Sequence, residues 1–360
     1  MRFPSFVRAI QGPAAVVAAG VILLSHAAQA APKSGPMETF RDWVIGCDNV
    51  RTCTAASLIP EGDTLFDRAV TVYLRREGDA RATPSILLRF ADEAATSVDL
   101  WVDGTTIATA PAKDGTATIA AEKTAMVMRA LARGSRLEIR AGHKVIGTAS
   151  LTGSSAALRF MDVQQGRAGT VTALVAKGEL WATAVKTPPR LPVVRYLAPP
   201  QGDSTSATLW REERTRALAL SGCAAEQTPG SEAAIHPLSK SQQLVLIPCG
   251  AGAYNFNSVP LIATGNPGRR SFTLPRFDSR PGWGGEAGTP PMLVNASWDA
   301  KTGQLMSYAK GRGLGDCGSS QSYVWDGSTF RLIEMRMMNQ CRGAWDWIPL
   351  WRARPVEMMK

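Results

Sequence analysis

The stretch Ser97-Val98-Asp99-Leu100-Trp101-Val102-Asp103-Gly104 decides the fold class of this chain. Its apolar side chains alternate through Val98, Leu100 and Val102, which is the period-two pattern of a half-buried β-strand. Asp103-Gly104 then provides the two-residue turn of a hairpin, because both central positions of a type I′ turn need a positive φ. The stretch therefore predicts an antiparallel β-hairpin.

The same strand and turn signals recur on both sides of that hairpin. Residues 69–75 alternate upstream, and two further hairpins are predicted downstream. One joins 136–141 to 144–150, and the other joins 170–176 to 180–184. Two short helices interrupt the strands, at 122–133 and 155–165, and each is followed by a glycine suited to a left-handed cap.

A cluster of five prolines divides the chain: Pro188, Pro189, Pro192, Pro199 and Pro200. Such a density is incompatible with a helix and unfavourable in a central strand. We therefore predict an N-terminal mainly β domain at 31–187, a Pro-rich linker at 188–204 and a C-terminal α+β domain at 205–360.

The predicted C-terminal domain opens with a helix at 206–220, which Gly222 stops. An apolar run at 244–247 follows, and then an antiparallel meander of strands at 292–298, 304–310, 322–325 and 329–336. Asp326-Gly327 turns the last hairpin. The predicted fold class is mainly β with a few helices (α+β), in two disulfide-braced domains of antiparallel sheets.

The first thirty residues have the pattern of an export signal. Arg2 and Arg8 precede an apolar run at 14–24, and Ala28-Gln29-Ala30 has the small-x-small pattern that signal peptidase cuts. The run is about a dozen residues, too short to cross a hydrocarbon core of roughly 30 Å. We interpret 1–30 as a cleavable signal peptide and expect a periplasmic protein without a transmembrane segment in its mature chain.

All six cysteines follow that signal: Cys47, Cys53, Cys223, Cys249, Cys317 and Cys341. An exported chain meets an oxidising compartment, which favours disulfides. Their spacing favours pairs of sequence neighbours, 47 with 53, 223 with 249 and 317 with 341. The two later bridges would each contribute roughly 3 kcal/mol in the chain-entropy model. The spacing does not suit zinc, and we predict no metal and no cofactor.

The chain carries 40 basic and 30 acidic residues, a formal net charge of +10. Most of the basic residues are arginines, whose guanidinium groups bind phosphate and carboxylate bidentately. We therefore expect an anionic cell-envelope component as partner and no nucleic acid. The candidate anion-binding residues are Arg269 and Arg270, in a Pro/Gly-rich loop, and Lys310 and Arg312, beside the glycine-rich segment 311–318. The competing interpretations are solvated surface arginines and a loop shaped by the Cys317 disulfide.

The sequence assigns no catalytic residue. It has no G-x-S-x-G motif, and both His143 and His236 occur in turn-like settings. Asp316, Asp326 and Glu334 keep a periplasmic hydrolase of glycan or peptide as an alternative. A host lysozyme inhibitor is a second alternative, which the positive charge disfavours because lysozymes are themselves basic.

Three tryptophans lie close together near the C-terminus: Trp345, Trp347 and Trp351. Aromatic faces stack on sugars and on guanidinium groups, so an exposed recognition surface is one interpretation. We favour core packing, with Trp345 and Trp347 on one face of a strand.

Two sets of motifs carry a resemblance. Phe40-Arg41-Asp42-Trp43, Cys47-Asp48-Asn49 and Cys53 resemble the opening of exported proteins of the invasion-associated locus B type. A longer set is similar to a family of unknown function found in periplasmic proteins of Gram-negative bacteria, and it includes Gly153–Arg159, Gln165-Gly166-Arg167, Pro248-Cys249-Gly250, Gly252-Ala253-Tyr254-Asn255, Lys310–Gly318, Trp325-Asp326-Gly327 and Trp351-Arg352-Ala353. The resemblance implies location and architecture but no activity. We expect an exported soluble binding or envelope-maintenance protein.

Overall fold

The computed structural model describes residues 31–63, 68–200, 208–223, 232–282 and 288–358. The predicted signal peptide at 1–30 lies outside the described residues. Residues Pro32–Lys360 group into one compact unit. Its elements are mainly antiparallel strands with three α-helices among the described residues, which confirms the predicted mainly β fold with a few helices; the division into two domains stays a prediction.

The N-terminal half builds a ten-stranded antiparallel sheet in the order β1-β2-β3-β4-β5-β8-β7-β6-β9-β10. Its strands are β1 Met37–Phe40, β2 Trp43–Cys47, β3 Cys53–Ser57, β4 Thr71–Arg76, β5 Ser85–Arg89, β6 Ser97–Val102, β7 Thr105–Lys113, β8 Thr116–Thr118, β9 Arg136–Ala141 and β10 Lys144–Ser150. The predicted hairpin between β6 and β7 is confirmed, with φ of 47° at Asp103 and 83° at Gly104. The hairpin of β9 and β10 is confirmed as well.

The sheet curls until its far edge approaches its middle. A parallel bridge joins Ala69 to Thr148, which brings β10 against the residues that lead into β4. The side chains enclosed by this curl form the largest apolar core, which includes Leu74, Leu88, Leu100 and Ile139. We call the junction between 69–71 and β10 the seam.

Two helices cover this core, α1 Ala121–Arg133 and α2 Ser154–Gln164, within one residue of the predicted ranges. The expected left-handed cap holds at Gly166, with φ of 67°. The left-handed conformation expected at Gly134 is wrong, because the backbone of Gly134 is extended. No helix of the described segments has the length and apolar character that a membrane span needs.

The predicted hairpin 170–176 with 180–184 is wrong. The two segments share a single parallel bridge between Thr170 and Leu180, and a short 3₁₀ turn occupies Ala182–Ala184. The reason is a buried carboxylate, because Asp162 accepts hydrogen bonds from the backbone N–H groups of Leu174, Val175 and Ala176. Those N–H groups are therefore not available to a strand ladder.

Within the described residues, the C-terminal half contains one α-helix, α3 Arg211–Ser221, which ends at Gly222 as predicted. The predicted start at 206 is wrong over residues 208–210, which are not helical. Its thirteen strands are β11 Val193–Tyr196, β12 Ala234–Pro237, β13 Gln242–Ala251, β14 Phe256–Thr264, β15 Ser271–Thr273, β16 Arg276–Phe277, β17 Leu293–Val294, β18 Ser297–Asp299, β19 Gln304–Lys310, β20 Gly318–Trp325, β21 Thr329–Met338, β22 Ile348–Arg352 and β23 Arg354–Glu357.

These strands form three sheets. The orders are β12-β13-β14-β15 with β17 on β14, β16-β21-β20-β19-β18 with β22 on β21, and the pair β11-β23. The predicted strand 292–298 is two short strands, β17 and β18, that belong to different sheets. Two pairings are parallel, β11 with β23 and β16 with β21. The predicted linker therefore contains a strand, β11, that pairs with the C-terminal end of the chain.

The C-terminal segment 341–352 packs directly on the first sheet. Val44 and Leu58 share one apolar cluster with Ile348 and Leu350. Gly46 allows the close approach, since a Cβ at this position would lie 2.7 Å from Leu350 Cδ2. The two halves of the chain thus share a core.

The three predicted disulfides are confirmed. Their Cα–Cα distances are 4.0 Å for Cys47–Cys53, 5.1 Å for Cys223–Cys249 and 4.7 Å for Cys317–Cys341, within or just below the usual range for this bond. The described residues contain no free cysteine.

Candidate functional site

The glycine-rich segment 311–318 is a loop built around a disulfide and an ion pair. A Cβ at Gly311 would lie 2.7 Å from Cys317 Sγ, so the backbone lies directly against the bridge. Arg312 donates through Nε and Nη2 to the two carboxylate oxygens of Asp316, at 2.7 and 2.5 Å. The backbone N–H of Gly343 also donates to Asp316, at 2.7 Å.

Asp316 is fully buried and remains ionised. Burial raises the pKa of its carboxyl, but the hydrogen bonds from Arg312 and Gly343 outweigh burial and hold the pKa below its ordinary value. The Arg312 guanidinium is thus engaged within its own loop. This geometry favours a loop shaped around the Cys317 disulfide over an anion-binding nest.

Two motif segments of the sequence meet at this loop. Asn255 Nδ2 donates to the carbonyl of Lys310, and the Lys310 N–H donates back to Asn255 Oδ1. Tyr254 Oη donates to the carbonyl of Gly311 at 3.2 Å. The tip of the β13–β14 hairpin is therefore fastened to the end of β19, and Lys310 lies partly buried at that junction.

Arg269 and Arg270 have different surroundings. Arg269 is exposed, whereas Arg270 is buried and pairs with buried Glu213 at 3.0 Å. Burial raises the pKa of Glu213, but its hydrogen bonds from Arg270 and Trp210 hold the pKa below its usual range. Arg270 thus joins α3 to β15 in the protein interior, on a different sheet from Lys310 and Arg312.

The motif Gln165-Gly166-Arg167 also has interior partners. Arg167 is fully buried, and its guanidinium donates to Gln165 Oε1 and to the carbonyls of Glu77, Asp79 and Ala80. Arg76 lies in the same region and donates to the carbonyls of Ala82 and Thr172. Burial lowers the pKa of Arg76 to about 10, with a further contribution from the charge of Arg167.

The carboxylates that kept the hydrolase alternative open each have an arginine partner. Asp316 pairs with Arg312, Asp326 with Arg331 and Glu334 with Arg336. Asp326 also accepts hydrogen bonds from the backbone of the turn it starts, as its place before Gly327 predicts. His236 stacks on Trp298 with ring centroids 6.0 Å apart.

The three C-terminal tryptophans separate into two kinds. Trp347 is buried and stacks on Tyr308, and Trp351 packs at the edge of a core, as expected. Trp345 is 46% exposed. The expectation that Trp345 and Trp347 share a strand face is wrong, because both precede β22.

Trp345 forms one wall of a cavity of about 300 Å³. Its neighbour Asp346 fixes the backbone there, because the Asp346 N–H donates to Tyr73 Oη at 2.8 Å and its carboxylate pairs with Arg89 at 2.6 Å. On the other side of Trp345, the carbonyl of Gly343 accepts a hydrogen bond from Thr71. Glu93 and Asp114 also line this cavity.

A second cavity of about 370 Å³ adjoins the first at the seam of the curled sheet. Ile59, Ala69 and Thr71 line both cavities. The second cavity is lined by the apolar residues Leu58, Val70, Val145 and Ala149, and by four charged residues, exposed Arg68 and Arg136 together with Asp63 and Glu138. We call the two cavities together the seam groove.

The sequence did not single out the seam groove, although one signal for part of it was present. Asp114-Gly115 is a second Asp-Gly turn, with φ of 49° and 68°, and it joins β7 to β8 as Asp103-Gly104 joins β6 to β7. It places Asp114 at the groove. Trp345 and Arg68 reach the same groove from segments far apart in the sequence, which a local pattern does not reveal.

These features define a disulfide-braced, mainly β protein with an elongated groove along the seam of its first sheet. Among the described residues, no group of three or more His, Cys, Asp or Glu side chains is placed to hold a metal ion. A model of a family of proteins of unknown function, DUF1176, matches residues 37–354, and the chain belongs to that family.

Two individual proteins are also similar. The uncharacterized protein YpfG of Escherichia coli (strain K12) is 30% identical over 343 residues, which cover 88% of this chain and 92% of that protein. The crystal structure of invasion associated protein B from Bartonella henselae aligns with 36% of this chain and 99% of its own, with 18% identity and a TM-score of 0.28. The family match and the relative from Escherichia coli confirm the resemblance to a family of unknown function that was noted in the sequence.

Proposed function

We propose that this protein is an exported binding protein of the bacterial periplasm, and that its seam groove binds an extended, acidic envelope glycan. Export is supported by the three disulfides, which form and persist in oxidising compartments, and by the signal-peptide pattern at 1–30. The main support for the proposed ligand is a pair of adjoining cavities that have lining residues in common. Trp345 lines one cavity, and Arg68 and Arg136 line the other.

The Trp345 end suits a sugar ring. An indole presents a large apolar face that stacks on the C–H face of a pyranose, while nearby polar groups bind the hydroxyls. Glu93, Asp114 and Thr116 provide such polar groups on the same cavity. Because the backbone on both sides of Trp345 is hydrogen-bonded, the segment that carries the indole loses little backbone freedom on binding.

The arginine end suits a carboxylate or phosphate. The guanidinium groups of Arg68 and Arg136 lie beside an apolar floor, which favours charge-assisted bidentate contacts at a partly desolvated position. Arg136 forms an ion pair with Glu138 at 3.5 Å, and its side chain is 62% exposed, so an incoming anion can still reach the guanidinium group. The proposal therefore assigns anionic recognition to Arg68 and Arg136, which are exposed. It does not assign it to Arg270, which is buried with its partner Glu213, or to Arg312, which binds Asp316 within its own loop.

The experiment is a calorimetric titration of the oxidised mature protein with acidic fragments released from peptidoglycan, and in parallel with a neutral chitin oligosaccharide. We expect saturable binding of the acidic fragments, weakened at least about tenfold by Trp345→Ala, since a central aromatic contact contributes about 2 kcal/mol or more. Trp210→Ala, at a tryptophan that is 62% exposed and directly precedes α3, is the matched control.

The double variant Arg68→Ala/Arg136→Ala separates the two ends of the groove. It should weaken the acidic fragments and leave the neutral oligosaccharide unchanged. Equal affinities of the Trp345→Ala and unaltered proteins, or the absence of saturable binding to either glycan, would contradict the proposal.

A second candidate function is hydrolysis of such a glycan, because Glu93 and Asp114 line the same cavity as Trp345. Glycoside hydrolysis needs two carboxyl groups across a bound sugar. The test is release of reducing ends from peptidoglycan by the unaltered protein and by Glu93→Gln. Release that Glu93→Gln abolishes would establish hydrolysis, and binding without release would exclude it for this substrate.

A further inference from the structure

The segment 168–186, which we call the Trp181 loop, exposes three large apolar side chains on one surface. The exposed fractions are 49% for Val171, 58% for Leu180 and 78% for Trp181. The Val171 N–H donates to the carbonyl of Leu180 at 2.8 Å, so the three residues are close neighbours. An exposed cluster of this kind is a signature of an interaction surface, because a lone apolar side chain is common on surfaces and a cluster is not.

This loop has a fixed conformation although it contains almost no regular secondary structure. On the interior side of the loop, the buried Asp162 carboxylate accepts hydrogen bonds from the N–H groups of Leu174, Val175 and Ala176. Arg76 donates to the carbonyl of Thr172, and Arg167 donates to the Thr172 hydroxyl. These buried charged groups hold the loop in place. They keep the exposed cluster of Val171, Leu180 and Trp181, which we call the apolar tip, in solvent. A surface ordered in advance loses less entropy when it docks.

The sequence around the apolar tip has more basic than acidic residues, although one of the basic residues, Arg167, is buried. Between Gly166 and Arg190 the sequence has four basic residues, Arg167, Lys177, Lys186 and Arg190, and one acidic residue, Glu179. Lys177, Lys186 and Arg190 are exposed. Exposed tryptophan and leucine with flanking lysine and arginine are the combination that suits the boundary between lipid headgroups and acyl chains.

We propose that the Trp181 loop docks this protein on an anionic lipid surface, with Leu180 and Trp181 at the headgroup boundary and Lys177, Lys186 and Arg190 over the headgroups. Basic side chains near an anionic lipid surface add attraction that salt screens. The small apolar tip favours lipid over a protein partner, since a stable protein interface buries about 800 Å² on each side. The inference goes beyond the proposed glycan binding and stands on a different part of the molecule.

The experiment is co-sedimentation of the oxidised mature protein with vesicles of phosphatidylethanolamine and phosphatidylglycerol, and with vesicles of phosphatidylcholine alone. We expect binding to the anionic vesicles that weakens as salt is raised and is at least tenfold weaker on phosphatidylcholine. The variant Leu180→Ser/Trp181→Ser should lower anionic-vesicle binding at least about tenfold. Both side chains are exposed, so circular dichroism of the variant should match that of the unaltered protein.

Trp345→Ala is the control, since Trp345 is also exposed but lies at the seam groove. It should reduce glycan binding and leave vesicle binding unchanged, whereas the Trp181 loop variant should do the reverse. Equal binding to both kinds of vesicle, no vesicle binding, or unchanged binding of the loop variant would each overturn the proposal. Self-association that the loop variant abolishes, without vesicle binding, would assign the surface to a second copy of the chain instead.

Discussion

Two regions of the molecule, which we call corners, each contain an aspartate–arginine pair beside a disulfide, but the two pairs join different parts of the chain. In each corner a buried aspartate next to a disulfide cysteine pairs with an arginine. At the N-terminal corner, beside Cys47–Cys53, Asp48 accepts from Arg352 Nε at 2.5 Å. At the C-terminal corner, beside Cys317–Cys341, Asp316 accepts from Arg312.

The difference lies in sequence separation. Asp48 and Arg352 are 304 residues apart, whereas Arg312 and Asp316 are four apart. Asn49 exchanges two further hydrogen bonds with the backbone of Arg352. The N-terminal corner therefore fastens the last strands to the first, while the C-terminal corner shapes a local loop and, through the Gly343 N–H, holds the segment that carries Trp345. The N-terminal corner therefore joins the first strands to the last, and the C-terminal corner positions a segment that lines the seam groove.

The largest expected effect is at the N-terminal corner. Asp48→Ala leaves Arg352 Nε and the N–H groups of Val50 and Thr52 without their acceptor. Removing one partner of a buried pair lowers the free energy of unfolding by about 3–5 kcal/mol. Urea unfolding followed by circular dichroism measures it, and a loss below that of Asp316→Ala would mean that this corner does not close the chain.

The contribution of each disulfide to the free energy of unfolding should increase with the length of the loop that it closes. Replacing both Cys317 and Cys341 by alanine should lower the free energy of unfolding by roughly 3 kcal/mol, since a loop of 24 residues is opened. The same change at Cys47 and Cys53 opens a loop of six and should lower it less. Equal losses in urea unfolding would show that chain entropy does not set the ranking.

A smaller effect on stability is expected for Asp316→Asn. The Arg312 side chain is 34% exposed and regains water when the charge is removed, so the loss should be about 1–3 kcal/mol. Because Asp316 also holds Gly343, the variant should weaken binding of acidic peptidoglycan fragments, measured by calorimetry at a temperature where it stays folded. Unchanged affinity would show that the C-terminal corner does not position the seam groove.

The smallest effect is a dependence of stability on pH. The folded-state pKa values of Asp316 and Glu213 lie below their ordinary values, so both groups stabilise the protein at pH above the ordinary carboxyl pKa. That stability should be lost as the pH falls through the folded-state values. Urea midpoints measured from neutral to acidic pH should therefore decline less steeply for Asp316→Asn than for the unaltered protein, and identical declines would contradict the assignment.

Much of the fold was predictable because its signals are local. The alternation in 97–102 and the Asp-Gly turn after it encode the β6–β7 hairpin, and cysteine spacing indicated all three bridges. The hairpin expected at 170–184 failed because Asp162, from α2, takes the N–H groups that a ladder would need. A local pattern cannot show a hydrogen-bond partner that tertiary packing supplies.

The groove was not predictable for the same reason. Arg68, Asp114 and Trp345 meet there from three distant segments, and nothing in their local sequence records the curl that joins Ala69 to Thr148. The domain boundary at 188–204 stays a prediction. Limited proteolysis would test it, and a cut in that range that leaves two folded fragments would support it.

Hydrogen–deuterium exchange with and without acidic peptidoglycan fragments tests the central claim most directly, because it locates the bound ligand on the chain. The account predicts slower exchange at the seam groove, in residues 68–71, 89–93, 114–116 and 343–346, with no change at the glycine-rich loop 311–318 or at Arg269. Slower exchange confined to 311–318 and 269–270, or no change anywhere at saturating ligand, would contradict it.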